Sequence, residues 1–156
     1  MTTSDIMNAG IDRAAKTMVN NIGGPFGAVV VKDDKIISVA SNTVLRDHDP
    51  TAHAEVNAIR AAGQVLRTHD LSGCTIYCTS EPCPMCLSAI IWSNIKIAYF
   101  GCTAEDAANI GFRDDYIYKF IQSEQEDENV LKMIPACRNE CIGLFDRYQS
   151  LNKEIY

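Results

Sequence analysis

The chain has 156 residues, of which 47% are apolar and 22% are charged. It is therefore long and apolar enough for one folded domain, and this composition excludes disorder as its main state. No apolar run approaches the roughly 20 residues that span a bilayer, and the start of the chain lacks the pattern of a signal peptide, so we expect a cytoplasmic protein that does not enter a membrane. The formal net charge of −6 disfavours general binding of nucleic acid.

The first half of the chain predicts helices on either side of a hairpin. Apolar residues recur at helical spacing before Gly23-Gly24-Pro25, and Ser4 is a plausible N-cap. Two runs rich in Val and Ile flank Asp33-Asp34, as in a β-hairpin. The predicted elements are a helix from Ser4 to about Asn21, strands over Phe26–Val31 and Lys35–Ala40, a polar loop over Asn42–Thr51, and a buried helix over His53–Leu66.

The second half alternates strand and helix before it becomes mostly helical. The predicted elements are a strand over Cys74–Thr79, a helix from Pro84 to about Ser93, a strand over Ile95–Gly101, a possible short strand over Lys132–Cys137, and a last helix that ends in an extended tail. A strand, a short helix and a strand imply a right-handed crossover, so the strands on either side of the Pro84 helix should be parallel. We therefore predict an α/β fold with a mixed sheet covered by helices on both faces.

One imidazole and two thiols have the pattern of a catalytic zinc site. The seven cysteines favour thiols over disulfides in the absence of a secretion signal, and Cys83 and Cys86 are three residues apart at a predicted helix start. The helix N-terminus favours thiolates at that place. With His53, three protein ligands leave the fourth position of Zn²⁺ open for water, and Glu55 is close enough in sequence to act as a proton shuttle.

Two other interpretations of these residues explain less. A purely structural zinc site would need a fourth protein ligand, and no other cysteine has an obvious spacing for it. A redox pair formed by Cys83 and Cys86 would leave His53 and Glu55 without a role.

Residues 53–55 match the pattern H-x-E, and residues 82–86 match P-C-x-x-C. These two patterns together form the signature of zinc-dependent nucleobase deaminases. The whole chain resembles the cytidine-deaminase-like superfamily, and more closely its short bacterial guanine deaminases. The resemblance covers Gly23–Ala28, Asn42, Asp49–Val56, Cys83–Leu87, Asp106–Ala108, Gly111-Phe112, Asp114, Tyr116–Tyr118 and Lys153–Tyr156. The segments up to Leu87 are shared with tRNA adenosine deaminases and yeast-type cytosine deaminases, whereas the later ones resemble guanine deaminases in particular.

This resemblance implies a three-layer α/β/α fold with a five-stranded mixed sheet in a single domain over residues 1–156. It implies one zinc ion per subunit on His53, Cys83 and Cys86, with Glu55 and Asp114 as catalytic residues in the deamination of guanine to xanthine. The implied contacts to the purine base come from Phe26, Asn42, Ala54, Trp92, Asp114 and Tyr156. It also implies a homodimer with a shared active site, in which a segment of about residues 132–156 is exchanged between subunits.

Several alternatives stay open at the level of sequence. Asp115 adjoins Asp114, so resemblance alone selects the second carboxylate, and Trp92 could equally pack in the core. The substrate could be another amino-heterocycle or adenosine in tRNA, although residues 120–156 hold seven acidic and four basic side chains, which disfavours nucleic acid as a partner. A zinc-stabilised dimer without catalysis would have no use for Glu55.

Overall fold

A computed structural model describes all of residues 1–156 and contains seven helices and four strands. The helices are α1 (Thr3–Val19), α2 (Val44–Asp47), α3 (Ala54–Leu66), α4 (Pro84–Trp92), α5 (Ala104–Asn109), α6 (Asp115–Gln122) and α7 (Arg138–Ser150), and the strands are β1 (Gly27–Lys32), β2 (Lys35–Ser41), β3 (Cys74–Ser80) and β4 (Ile97–Cys102). No helix combines the length and the apolar character that a membrane crossing needs.

The chain forms two compact units, residues 1–115 and residues 116–156. The first unit contains the whole sheet. In the second, α7 is followed by an extended tail, as predicted, and the Tyr148 hydroxyl donates a hydrogen bond of 2.5 Å to the carbonyl of Glu154 in that tail.

The four strands lie in the order β2-β1-β3-β4. The predicted hairpin of β1 and β2 is confirmed, and β3 and β4 are parallel, as the crossover rule requires. The sheet has four strands and not five, because Lys132–Cys137 forms no strand. A short extended segment becomes a strand only when a neighbouring strand pairs with its backbone, and Pro135 lacks an N–H donor for such pairing.

Helices cover both faces of the sheet, which confirms the predicted layers. On one face, α3 and α4 pack on β1 and β3, with the buried side chains of Ala28, Val30, Ala54, Ala58, Ala62, Ile76, Cys78 and Ile90. On the other face, the buried side chains of α1, β1 and β3 are Ile6, Val29, Val31 and Tyr77. The alternation of Val29 and Val30 between the two faces is the period of two that a strand imposes.

Two local predictions needed correction. Helix α1 begins after Thr2 and not after Ser4, because Thr2 and Asp5 form a reciprocal capping box in which each side chain accepts the other's backbone N–H. The segment 42–51 is not a continuous loop, because it contains the short helix α2. The polar residues that suggested a loop also stabilise such a single helical turn, as the 2.7 Å bond from the Thr43 hydroxyl to Asp47 illustrates.

Two glycines allow α1 to approach β1 very closely. A Cβ atom on Gly27 would lie 2.1 Å from the backbone oxygen of Gly10, a distance at which one of the two backbones must move. We therefore expect Gly27→Ala to lower the free energy of unfolding by about 1–3 kcal/mol, the usual cost of overpacking a core.

Denaturant unfolding of Gly27→Ala and Gly143→Ala measures this effect against a matched control. A Cβ on Gly143, which lies within α7, would meet no atom within 4 Å. That substitution should be neutral or stabilising by up to about 1 kcal/mol, because alanine favours helix more than glycine does. Equal stability of Gly27→Ala and the unchanged protein would contradict the close approach of α1 and β1.

Candidate active site

The sheet brings two helix starts to one edge. Strands β2 and β3 both run antiparallel to β1, which lies between them, so their carboxyl ends lie at the same edge of the sheet. The chain that leaves β2 leads to the start of α3, and the chain that leaves β3 leads directly to the start of α4. The motifs H-x-E and P-C-x-x-C, 30 residues apart in sequence, therefore meet in the fold.

His53, Cys83 and Cys86 form one compact cluster, as the sequence predicted. His53 is the N-cap residue of α3 and Cys83 is the N-cap residue of α4, in which Pro84 is the first helical residue. The Nδ1 atom of His53 lies 3.5 Å from each of the two sulfurs, and the three donor atoms lie within 4.8 Å of one another. His53 and Cys83 are half-buried and Cys86 is fully buried.

The two thiols interact so strongly that the protonation of one depends on the other. The hydrogen bond with Cys86 lowers the pKa of Cys83, and His53 adds to this effect. The same pairing with Cys83, together with burial, raises the pKa of Cys86. The raised pKa of Cys86 favours its protonated form, and a metal ion bound to both sulfurs would displace that proton.

Asn57, one turn into α3, fixes the segment that precedes His53. Its side-chain NH₂ group donates to the carbonyl of Ser41 at 2.9 Å, to the hydroxyl of Thr43 at 2.9 Å and to the carbonyl of Ala52 at 3.3 Å. Sequence analysis did not single out Asn57, because a lone asparagine on a helix gives no signal of partners far away in the chain.

Glu55 is a buried carboxylate beside this cluster. It lies in the first turn of α3, is 8% exposed and interacts with the Cys86 thiol. Burial raises the pKa of Glu55, because removal from water penalises the charged form. A carboxyl group with a raised pKa can both accept and donate a proton near neutral pH, which is the property that a proton shuttle needs.

The donor set fits Zn²⁺. One imidazole and two thiolates match the affinities of zinc, and three protein ligands are the number found in catalytic sites, where the fourth position holds water. The nearby buried Glu55 has no function in a purely structural metal site. The fold and this cluster thus define a zinc-dependent hydrolytic enzyme.

Asn42 lies at the same edge of the sheet, directly after β2. Its side-chain oxygen accepts hydrogen bonds from the backbone N–H of Gly24 at 3.3 Å and from that of Val44 at 3.1 Å. The backbone N–H of Asn42 donates to the carbonyl of Phe26 at 3.0 Å. The side-chain oxygen thus holds two loops, while the NH₂ group makes neither of these bonds. A base acceptor is a suitable partner for that group.

This geometry predicts distinct effects of two substitutions at position 42. Asn42→Asp keeps an oxygen for Gly24 and Val44 but loses the NH₂ donors, so we expect KM for the base to rise about tenfold with the melting temperature nearly unchanged. Asn42→Ala loses both functions and should also lower the free energy of unfolding by about 1–3 kcal/mol. Kinetics and thermal unfolding of the two variants side by side provide the check; an unchanged KM in Asn42→Asp would rule out a contact between this amide and the base.

Phe26 contacts a second aromatic ring. The rings of Phe26 and Phe112 meet edge to face, with centroids 5.0 Å apart and planes at 89°. Phe112 follows Gly111, whose φ of 102° suits glycine. The sequence analysis included Phe112 in the family resemblance but assigned it no role, because its partner is 86 residues earlier in the chain. In this geometry the edge of one ring meets the face of the other, so Phe112 covers at most one face of the Phe26 ring.

Asp114 and Asp115 differ clearly in their surroundings. Burial raises the pKa of Asp114, and the negative charge of Cys83 adds to this, so Asp114 senses the metal-ligand cluster. The carboxylate of Asp115 instead forms an ion pair with Arg113 at 3.1 Å. The negative charge of Cys83 thus acts on Asp114, whereas Asp115 is engaged by Arg113. A cavity of about 420 Å³ beside it is lined by Ala104, Glu105, Ala108, Asn109, Arg113, Asp114 and Asp115.

The remaining three predicted contact residues differ in placement. Ala54 is completely buried at the start of α3, next to His53 and Glu55. Trp92 is 79% exposed at the end of α4, so it does not pack in the core. Cys83 precedes the first residue of the same helix, so Trp92 also lies away from the cluster of metal ligands. Tyr156 belongs to the second unit and is 86% exposed.

Comparison with known proteins gives the family. Residues 2–102 match the family described as the cytidine and deoxycytidylate deaminase zinc-binding region, and the chain belongs to this family. It is 44% identical over 136 residues to the guanine deaminase of Bacillus subtilis, covering 86% of each chain. It is also 37% identical over 125 residues to a tRNA-specific adenosine deaminase of Buchnera aphidicola, covering 80% of this chain and 79% of that protein.

The fold agrees with this assignment. The X-ray structure of the Bacillus subtilis guanine deaminase superposes with a TM-score of 0.92 at 38% identity, covering 100% of this chain and 99% of that one. This match extends through residues 103–156, which lie outside the family region.

Proposed function

We propose that this protein catalyses the hydrolytic deamination of guanine to xanthine and ammonia. The observation that carries the proposal is the buried Glu55 beside the cluster of His53, Cys83 and Cys86. The choice of guanine is supported by similarity to a guanine deaminase along the whole chain, including the segment that contains Asp114.

The residues of the chain divide the chemistry between them. His53, Cys83 and Cys86 hold zinc, which when bound makes water a sufficiently strong nucleophile near neutral pH. Glu55 accepts a proton from the water that attacks C2 of guanine and transfers it to N3. Glu55 then accepts the proton of the new C2 hydroxyl and, assisted by Asp114, transfers it to the amino group. The C2–N bond breaks, ammonia leaves, and the C2 carbonyl of xanthine forms.

The base-binding residues follow the same geometry. The Phe26 ring offers a face on which a purine can stack, and its contact with Phe112 orients the ring. The NH₂ group of Asn42 donates to an acceptor of the base, and Asp114 accepts hydrogen bonds from its N–H groups. Ala54, between His53 and Glu55 in sequence, is completely buried and supports these two residues from the core.

We also propose a homodimer in which part of the second unit, about residues 132–156, is exchanged between subunits. Strand β4 is an edge strand, and its side chains are exposed, including those of Ile97, Tyr99 and Phe100. An exposed apolar edge strand is a template for pairing with another chain. The segment Lys132–Cys137 has as many residues as β4, and such an exchange would bring Tyr156 to the partner's site.

Ammonia release tests the enzymatic proposal. Zinc-loaded protein is offered guanine, adenine, cytosine, their nucleosides and tRNA in parallel, with the variant Glu55→Gln as the inactive control. Release from guanine with equimolar xanthine is the expected result. Release from a different base or from tRNA would refute guanine as the substrate, and no release from any substrate would refute the enzymatic function itself.

Subunit mixing tests the shared active site. Glu55→Gln and a chain that lacks Tyr156 are each expected to be nearly inactive as homodimers. In a co-expressed mixture, half of the chains pair with the other variant, and one site of each mixed dimer has neither defect. About a quarter of wild-type activity should therefore appear. No activity above that of the two separate variants would mean that each site is built from one chain.

A further inference from the structure

The two neighbours of Asp114 are joined to each other. The Nε atom of Arg113 lies 3.2 Å from Oδ1 of Asp115, and one terminal nitrogen lies 3.1 Å from each carboxylate oxygen. This is the bidentate arrangement in which guanidinium and carboxylate planes match. Arg113 and Asp115 flank Asp114 in sequence, and their ion pair fixes the direction of the Arg113 side chain.

Arg113 has two carboxylates within reach along the chain. Asp114 is its direct neighbour and Asp115 is the next residue, and both line the same cavity as Arg113. An ion pair between Arg113 and Asp114 would neutralise Asp114 and occupy its oxygens. The observed pair with Asp115 competes with this, because it occupies the Nε and one terminal nitrogen that would form a bidentate bond to Asp114.

A second contact fixes the loop on the other side. The Phe112 ring packs against Phe26, and the backbone N–H of Phe112 donates to the carbonyl of Ala107 at 3.0 Å. Asp114 thus lies between an aromatic anchor and an ion pair. Its half-buried carboxylate is also near the charges of Cys83, Glu81 and Asp115.

We propose that Asp115 is a positioning residue that holds the Arg113 guanidinium away from Asp114 and so keeps the Asp114 carboxylate available to the reacting base. This inference rests on the proposed function of Asp114 in guanine deamination. The ion pair is largely exposed to solvent, with 66% and 43% of the two side chains accessible, so its contribution to stability is small. We assign the pair a role in orientation: it keeps the Arg113 guanidinium bound to Asp115 and not to Asp114.

The inference predicts an unusual pattern in three variants. In Asp115→Asn the guanidinium loses its carboxylate and turns to Asp114, so kcat should fall about tenfold with zinc content and melting temperature unchanged. Arg113→Gln removes the competing cation and should stay within about twofold of wild type. The double variant Arg113→Gln/Asp115→Asn should recover most of the activity that Asp115→Asn lost.

Carbon-13 NMR of the Asp114 carboxyl group gives a second readout that needs no turnover. Pairing with Arg113 in Asp115→Asn should lower the pKa of Asp114 relative to wild type, and the double variant should reverse this shift. Wild-type activity in Asp115→Asn, or a double variant as impaired as Asp115→Asn, would overturn the inference. If the wild-type protein deaminates no base, the proposed function fails, and the titration alone then decides whether Arg113 turns to Asp114.

Discussion

Replacing Glu55 with glutamine is expected to reduce kcat for deamination by about 100- to 10,000-fold and to leave the bound zinc in place. Glutamine has nearly the same shape and keeps hydrogen-bonding capacity in the buried position next to Cys86, but it cannot carry a proton between water and the base. Because Glu55 is not one of the three clustered donors, the metal should remain. Zinc content and steady-state rates of the same preparation measure both effects.

Glu126→Gln provides a matched control for that substitution. Glu126 is an exposed carboxylate that follows α6 in the chain, outside the metal cluster and outside the cavity beside Asp114. The same chemical change there should leave kcat within about twofold of wild type, as expected for a surface substitution. If Glu55→Gln kept wild-type turnover, or if it lost its zinc, the assignment of Glu55 as the proton shuttle would be wrong.

Replacing Cys83 with alanine should have the second large effect, on both metal and stability. Cys83 and His53 begin two different helices, so a metal ion between them joins the starts of α3 and α4. Metal binding contributes to folding when the ligands come from separate segments. We expect loss of stoichiometric zinc, loss of activity and a melting temperature lower by about 10 °C.

Two comparisons separate loss of the metal from loss of a side chain. Wild-type protein stripped with a chelator should melt close to the temperature of Cys83→Ala, because both lack the ion. Cys141→Ala, at an exposed position in α7, should retain zinc and the wild-type melting temperature. A Cys83→Ala variant that is fully loaded and equally stable would exclude Cys83 as a ligand.

The centre of the site was predictable from the sequence because its signals are local. His53 and Glu55 are two residues apart, and Cys83 and Cys86 are three apart at a helix start, so spacing alone places each pair on one element. The pattern of strand, helix and strand also determined that β3 and β4 are parallel. These features depend on neighbours in sequence, which periodicity and spacing describe well.

The features that the sequence did not determine depend on distant partners. Arg113 forms its ion pair with Asp115, and no pattern in the sequence reports which of the two adjacent carboxylates the arginine binds. Phe112 contacts Phe26 from a separate loop. The predicted fifth strand over Lys132–Cys137 fails for the same reason, since an extended segment becomes a strand only through a partner strand.

Titration of metal-free protein with zinc, followed by the initial rate of xanthine formation from guanine, tests whether the protein is a zinc-dependent guanine deaminase. We expect the rate to rise in proportion to bound zinc and to reach its plateau at one ion per chain, while the metal-free protein is inactive. Full deamination of guanine by metal-free protein would exclude a role of zinc in catalysis, and a fully zinc-loaded protein that forms no xanthine would exclude guanine as the substrate.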